Sequence, residues 1–99
     1  MNNNELQSRV LVWAGEKNLL KPENSLKQFA KTVSELGELG DAIIKNDTKE
    51  VIDAIGDTQV CLIILAEQLG LSYDECLESA YNVIKNRTGK TVGGTFIKD

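Results

Sequence analysis

The feature that most constrains the fold of this chain is a run of six consecutive apolar residues, VCLIIL, from Val60 to Leu65. The residues on either side follow helical spacing, so the run falls inside a helix predicted over residues 49–69. A helix that is apolar all round has to be buried all round. A chain of 99 residues has little material with which to enclose one. We therefore predict that this helix packs within its own chain and also against a second subunit.

The rest of the chain shows helical periodicity interrupted by turn signals, and no segment alternates convincingly as a strand. Pro22 separates the first two helical patterns, and Gly70 is a plausible stop for the third. The tail from residue 86 is rich in glycine and is predicted to be irregular. The fold class expected is all-α, a four-helix bundle forming one domain over residues 1–99 and completed by homo-oligomerisation. Besides 49–69, the predicted helices cover about 5–17 and 26–45, and a fourth follows the capping box SYDE at Ser72–Glu75 and carries Cys76, Leu77, Ala80, Val83 and Ile84.

Composition excludes several classes of function. A hydrophobic fraction of 41% and a charged fraction of 26% are ordinary for a globular protein. The net charge of −4 argues against a general basic surface for nucleic acid. No stretch approaches the ~20 apolar residues of a membrane span, and the first ten residues lack the features of a signal peptide. We expect a cytoplasmic protein with neither nucleic acid nor a membrane as a partner.

The side chains available for chemistry are limited, because the chain has no histidine. This removes the commonest general base and any His-rich zinc site. Cys61 and Cys76 both fall in helical patterns and are predicted to be buried free thiols. Catalysis, if present, must rest on carboxylates, cationic side chains and metal ions.

Two glutamates stand three residues apart in KTVSELGELGDAII, where Glu35 and Glu38 project about 60° from one another on one helical face. One such pair could be a solvated acidic edge. The next helix also carries a group of carboxylates within about 60°, namely Glu50, Asp53 and Asp57. The two acidic faces would meet if the helices are antiparallel neighbours.

Facing carboxylates need a counter-ion. At about 5 Å and an effective dielectric near 20, each pair repels by roughly 3 kcal/mol. Oxygen ligands without histidine favour Mg²⁺, or Mn²⁺, over zinc. The pattern therefore indicates a divalent metal site between the second and third helices.

Four stretches carry a resemblance to a known family: ELGEL, DAIGDTQVCLIILAEQLG, SYDECLESAYNVIKNRTGK and the ending GGTFIKD. Together they resemble the MazG-like all-α nucleoside triphosphate pyrophosphohydrolases, especially short phage and bacterial members. The resemblance implies a dimer or tetramer that binds Mg²⁺ through its motif carboxylates. It implies hydrolysis of an NTP or dNTP to the monophosphate and pyrophosphate, often as house-cleaning of surplus or non-standard nucleotides.

The family motif is ExxE on one helix and ExxD on the next. Glu35 and Glu38 match the first, and Asp57 matches the aspartate of the second. The glutamate position of the second is Ala54 here, so Asp53 or Glu50 would have to supply a carboxylate. Either Glu38 or Asp53 could orient or deprotonate the attacking water.

The departure at residue 54 motivates a second hypothesis, a non-catalytic nucleotide-binding regulatory protein on the same scaffold. A third is a purely structural oligomerisation module whose carboxylates line a solvated groove.

Cations and one amide at the end of the fourth helix are predicted to bind substrate. Three cations cluster at the end of this helix, Lys85, Arg87 and Lys90. A favourable interaction with the helix dipole explains one cation there but not three, so phosphate binding is favoured. Asn82 fits the family pattern and is predicted to contact the ligand.

Three residues of the first two helices have two interpretations each. Lys31 either forms an i, i+4 ion pair with Glu35, which is favoured, or touches a phosphate. Trp13, on the apolar stripe of the first helix, is predicted to be core, with base stacking as the alternative. Gln28 could contact a base edge.

Overall fold

The computed structural model describes all 99 residues, and four helices account for most of them. The helices are α1 (Asn3–Glu16), α2 (Ser25–Ile44), α3 (Thr48–Gln68) and α4 (Tyr73–Ile84), with a single 3₁₀ turn at Pro22–Asn24. No single helix is long and apolar enough to cross a membrane, although α3 and α4, joined at a bend, have the length and composition of a span when taken together. The prediction of an all-α fold with four helices is confirmed.

The helix ends follow from local side-chain chemistry. Asn2, Asp47 and Ser72 cap α1, α3 and α4 by accepting a hydrogen bond from the backbone N–H three residues further on, at 2.9, 3.2 and 3.5 Å. After α3, Gly70 adopts a left-handed backbone with φ of +74°, the conformation that ends many helices.

The packing is centred on α3. The extensive contact is between α2 and α3, and α1 lies against α3 as well. Within the apolar run Cys61, Ile63 and Ile64 are buried, whereas Leu62 remains 36% exposed. The run is therefore only partly enclosed by its own chain.

The fourth helix does not complete a compact bundle. It bends away from α3 by 102° and packs mainly on that helix. The Cα radius of gyration is 15.7 Å, against about 13 Å for a compact domain of 100 residues. The accessible surface is 7500 Å², against about 5,600 Å² for a compact monomer of this mass.

The C-terminal tail is not irregular, which corrects the sequence prediction. Residues Gly89–Val92 (β1) and Thr95–Lys98 (β2) form an antiparallel hairpin, with Val92 opposite Thr95. Gly93 and Gly94 both have positive φ, +58° and +82°, as a two-residue turn between right-twisted strands requires. Four-residue strands are too short to show a clear alternation of apolar and polar residues, so the Gly-Gly pair was the sequence signal that could have indicated a hairpin.

Candidate active site

Glu35 is the buried carboxylate of the site. It lies in the middle of α2 and is 8% exposed. Its Oε1 is 3.4 Å from the Lys31 Nζ, one turn earlier on the same helix, so the predicted ion pair between these residues is confirmed. Its Oε2 is buried and has no hydrogen-bond partner. Since buried carboxylate oxygens are normally paired, this oxygen still lacks a partner that its own chain does not supply.

Glu38 lies one turn further along α2, beside Glu35 and open to solvent. A hydrogen bond shared with Glu35 and the negative charge of Glu35 raise the pKa of Glu38 above its usual value. The charge of Asp57 on α3 adds to the rise, and that of Lys31 opposes it. Of the α3 carboxylates, Asp57 is the one whose charge acts on Glu38.

The two other carboxylates of α3 occupy different surroundings. Glu50 and Asp53 are solvent-exposed, and the charges that act on Glu38 come from Glu35, Lys31 and Asp57. Ala54, at the position where the family motif has glutamate, is 5% exposed. A methyl group thus occupies a buried place on α3, and no carboxylate reaches the α2 pair from there.

Asp57 also opens onto a groove of about 420 Å³ between α1 and α3. Trp13 lines this groove and is 48% exposed, so the prediction that Trp13 is a core residue is wrong. Ala14 takes the buried position on α1 instead. The half-exposed indole of Trp13 shares this groove with Asp57, so a planar group that entered the groove could stack on it.

Arg9 lines the same groove and was not identified from the sequence. It precedes Trp13 by four residues, so both side chains project from one face of α1. That spacing was the available signal. The groove therefore offers an acidic residue, an arginine and an aromatic ring along one wall.

The cations of the C-terminal region are not at the carboxylates of their own chain. All four predicted ligand residues there, Asn82, Lys85, Arg87 and Lys90, are exposed. The ion pair of Lys31 with Glu35 is the sole salt bridge in the chain. A single chain thus presents the carboxylates without these cations.

The carboxylates suit a divalent cation, though not as a complete cage. Glu35 Oε2 is an unpaired buried oxygen beside a second carboxylate, and hard cations such as Mg²⁺ prefer oxygen ligands and keep several waters. No group of three or more cysteine, aspartate or glutamate side chains is arranged as a ready metal site. Glu35 and Glu38, the adjacent pair on α2, are the residues from which such an ion would take protein ligands, and Asp57 does not complete a group of three with them within one chain.

Comparison with known proteins identifies the family. The sequence model of the phosphoribosyl-ATP pyrophosphohydrolases matches residues 15–82, which include α2, α3 and the acidic residues described above. The chain belongs to this family. The phosphoribosyl-ATP pyrophosphohydrolase family has the MazG-like all-α fold, so the resemblance is confirmed. The family is named for pyrophosphohydrolase activity on a nucleotide-type substrate, and its members generally use a divalent metal.

One phage protein is also similar to this member of the phosphoribosyl-ATP pyrophosphohydrolase family. It is an uncharacterized 18.2 kDa protein in the rep–hol intergenic region of Haemophilus phage HP1, strain HP1c1, 38% identical over 64 residues. The match covers 65% of this chain and 39% of the phage protein. No solved structure matches the chain.

Proposed function

We propose that this protein hydrolyses nucleoside triphosphates, ribo or deoxyribo, to the monophosphate and pyrophosphate, as house-cleaning of surplus or non-standard nucleotides in the cytoplasm. The observation that carries the proposal is the buried, unpaired Glu35 Oε2 beside Glu38 and Asp57, in a chain of a pyrophosphohydrolase family. Phosphoribosyl-ATP, the substrate in the family's name, contains the same α–β phosphoanhydride. The chemistry is therefore common to both substrates.

We assign Mg²⁺ to Glu35, Glu38 and Asp57, with Mn²⁺ as a substitute. Such an ion supplies neutralisation of phosphate charge and a lowered pKa for a bound water. A water attacks at the α–β phosphoanhydride, the bond between the attacked phosphorus and the bridging oxygen breaks, and pyrophosphate and monophosphate separate. The proton lost by the water goes to a carboxylate.

Glu38 is the carboxylate to which we assign that proton. It lies one turn from Glu35, whose hydrogen bond and charge raise the pKa of Glu38 above its usual value, and a higher pKa makes a carboxylate a stronger proton acceptor. Asp53 was the alternative from the sequence. It lies on α3 without an influence on the α2 pair, so Glu38 has the better position.

We further propose that the active species is a homo-oligomer, with a dimer as its smallest form. The surface in excess of a compact monomer is about 1,900 Å², comparable with the roughly 1,000–2,500 Å² that each partner buries in obligate dimers. An entirely apolar groove of about 360 Å³ lies at the junction of α3 and α4, between Leu62 and Leu77. Oligomerisation would cover it, and would allow one chain's Lys85, Arg87 and Lys90 to approach another chain's carboxylates.

The first test is pyrophosphate release from a panel of canonical and modified NTPs and dNTPs and from phosphoribosyl-ATP, with Mg²⁺ and then Mn²⁺. We expect monophosphate and pyrophosphate from at least one triphosphate. Glu38→Gln should lower kcat at least ~100-fold, the usual size of a general-base contribution. Glu67→Gln, an exposed position near the end of α3, is the matched control and should keep full activity.

The melting temperature of the metal-free variant shows whether its fold is intact. Because the folded-state pKa of Glu38 is raised, its stabilising contribution is present at low pH and is lost as pH rises through that pKa. The Glu38→Gln variant, whose side chain is neutral, should therefore have a melting temperature no lower than that of wild type at pH 7. Undiminished turnover in Glu38→Gln would remove Glu38 from the mechanism, and metal-dependent nucleotide binding without any release would favour the regulatory alternative.

A further inference from the structure

One side of α2 carries a line of apolar side chains that its own chain does not cover. The residues follow one another at alternating steps of three and four, so they lie along a single side of the helix. All are at least half exposed; they are Leu26, Phe29, Val33, Leu36 and Ile43. Gly40 falls on the same line, and a Cβ added to it would meet open space. We call this surface the α2 stripe.

The α2 stripe is separate from the face of α2 that packs on α3. That inner face buries Thr32, Glu35 and Ala42, which project about 100° away from the stripe. Leu36 stands between Glu35 and Glu38 in the chain. Whatever packs on the stripe therefore borders the carboxylate pair. An exposed apolar surface of this length marks an interaction site.

The C-terminal arm, residues 73–98, presents an apolar surface of matching form. Its helix α4 buries none of its own residues. Leu77, Tyr81 and Ile84 follow helical spacing on α4 and are all more than half exposed. The 12 residues of α4 extend about 18 Å, and the α2 stripe extends about 25 Å from its first residue to its last. One such helix can therefore lie along one stripe.

The charges that border the two surfaces have opposite signs. Glu38 and Asp41 lie beside the second half of the α2 stripe, and Lys85 and Arg87 follow the end of α4. None of these four residues forms a salt bridge within its own chain. Opposite charges at the rim of an interface steer association and fix its register. The arm therefore complements the α2 stripe in charge as well as in shape.

We propose that the α2 stripe is the docking surface for the arm of a second copy of this chain, and that the contact is reciprocal. In this dimer the α4 of each copy packs on the α2 of the other, and the second copy's Lys85 and Arg87 lie beside Glu38 of the first. Each acidic centre is thereby completed by cations of its partner. The proposal rests on the homo-oligomer of the proposed function. Two equivalent contacts of about 800 Å² each reach the roughly 1,600 Å² of a standard interface.

A contact between two α2 stripes is the competing arrangement. It would leave Leu77, Tyr81 and Ile84 of both arms exposed, as they are in the single chain. It would also leave the cations of the arm away from the carboxylates. The contact of arm with stripe covers both exposed surfaces in a single dimer, so the observations favour it.

The test mixes two variants, each with a charge placed in one of the two surfaces. Leu36→Asp disrupts the stripe and Leu77→Lys disrupts the arm, so each variant alone should sediment as one chain of 10.9 kDa. Mixing restores one intact contact and sets a carboxylate opposite an ammonium in the other. With one chain isotopically labelled, native mass spectrometry should show the heterodimer at least about tenfold more abundant than either homodimer. Ser34→Asp, at an exposed polar position outside the stripe, is the matched control and should dimerise alone.

The mixture distinguishes the two arrangements. Variants that remain single chains after mixing would overturn the contact of arm with stripe, because a contact between two stripes would contain the new carboxylate in every pair. Dimerisation of Leu36→Asp alone would overturn the proposal as well. Circular dichroism reports whether each variant is folded, and Val33→Asp replaces Leu36→Asp if that chain does not fold.

Activity separates this proposal from the proposed function. A heterodimer that forms while no preparation, wild type included, releases pyrophosphate would support the interface and overturn the enzyme. Wild-type rates of release from monomeric Leu36→Asp would support the enzyme and overturn completion of the site by the partner. A wild-type protein that is a single chain at every concentration would overturn the interface, whatever its activity.

Discussion

The body of the protein, residues 3–68, and its C-terminal arm, residues 73–98, use apolar side chains in contrasting ways. All nine buried residues of the chain belong to the body, including Ala14, Ala54 and Ile64. The arm has none, although Leu77, Ile84 and Phe96 are each about half exposed or more. Apolar side chains are thus only partly buried inside the chain in the first region, where Leu26, Phe29 and Ile52 are still more than half exposed, and none is buried in the second.

The contrast shows that an amphipathic helix does not by itself provide a second surface against which its apolar face is buried. α2 packs against α3 and buries Thr32, Glu35 and Ala42, whereas α4 turns away from α3 by 102° and carries its apolar residues into solvent. An exposed apolar surface of this extent marks an interaction site. The arm is the region on which the proposed oligomer depends, and the body is the region that holds the carboxylates.

The largest expected effect comes from placing a charge in the arm. Leu77→Asp should dissociate the oligomer, because it puts a carboxylate at an apolar surface shared by α3 and α4. Sedimentation should show the mass of one chain, 10.9 kDa, while the α-helical circular dichroism of the body persists. Ser79→Asp, at an exposed polar position of α4, is the control and should leave the mass unchanged. A wild-type protein that already sediments as one chain would contradict the arm's proposed role.

A smaller effect is expected from a matched pair of isoleucine truncations. Ile64→Ala, at a residue 3% exposed in the body, should lower the free energy of unfolding by about 2–4 kcal/mol through the cavity it leaves. Ile84→Ala, at a residue 54% exposed in the arm, should cost less than about 1 kcal/mol at protein concentrations where the chain is monomeric. Urea titrations at two protein concentrations measure both. If a second copy covers the arm, the cost of Ile84→Ala rises with concentration and that of Ile64→Ala does not. Equal costs at every concentration would remove the distinction between the regions.

The smallest effect sharpens the comparison through the two cysteines. Cys61 is buried in the body, and burial raises the pKa of its thiol, as does the nearby charge of Glu35. Because the thiolate is the reactive form, labelling by a maleimide should be slow at Cys61 and at least about tenfold faster at the exposed Cys76. Mass spectrometry of the labelled peptides measures both rates. Labelling should be followed in Leu77→Asp as well, where Cys76 is free of any partner.

In the wild-type oligomer the rate at Cys76 should fall as protein concentration rises, because that thiol lines the apolar groove. Faster labelling of Cys61 than Cys76 in the dissociated variant would mean that the body opens more readily than its packing implies. The prediction that both thiols are buried is already wrong for Cys76 within one chain.

The local chemistry of the sequence determined much of this protein. Periodicity and breakers placed the first three helices within one or two residues of their observed ends, since caps such as Asp47 and stops such as Gly70 act within a single turn. The three-residue spacing of Glu35 and Glu38 put them on one face for the same reason. The i, i+4 ion pair of Lys31 with Glu35 was also predicted correctly. These are contacts along one helix, and helix geometry alone specifies them.

Contacts between elements were decided only by the tertiary structure. Helical projection placed Glu50, Asp53 and Asp57 on one face of α3, and the docking of α3 against α2 decided that the charge of Asp57 is the one that acts on Glu38. Trp13 follows an apolar stripe, yet α1 packs so that Ala14 is buried and the indole borders a groove. One cavity is lined by both Gln28 and Gln68, which lie forty residues apart in the chain. Such choices depend on how two helix surfaces fit and on the direction of the chain after Gly70, which periodicity does not encode.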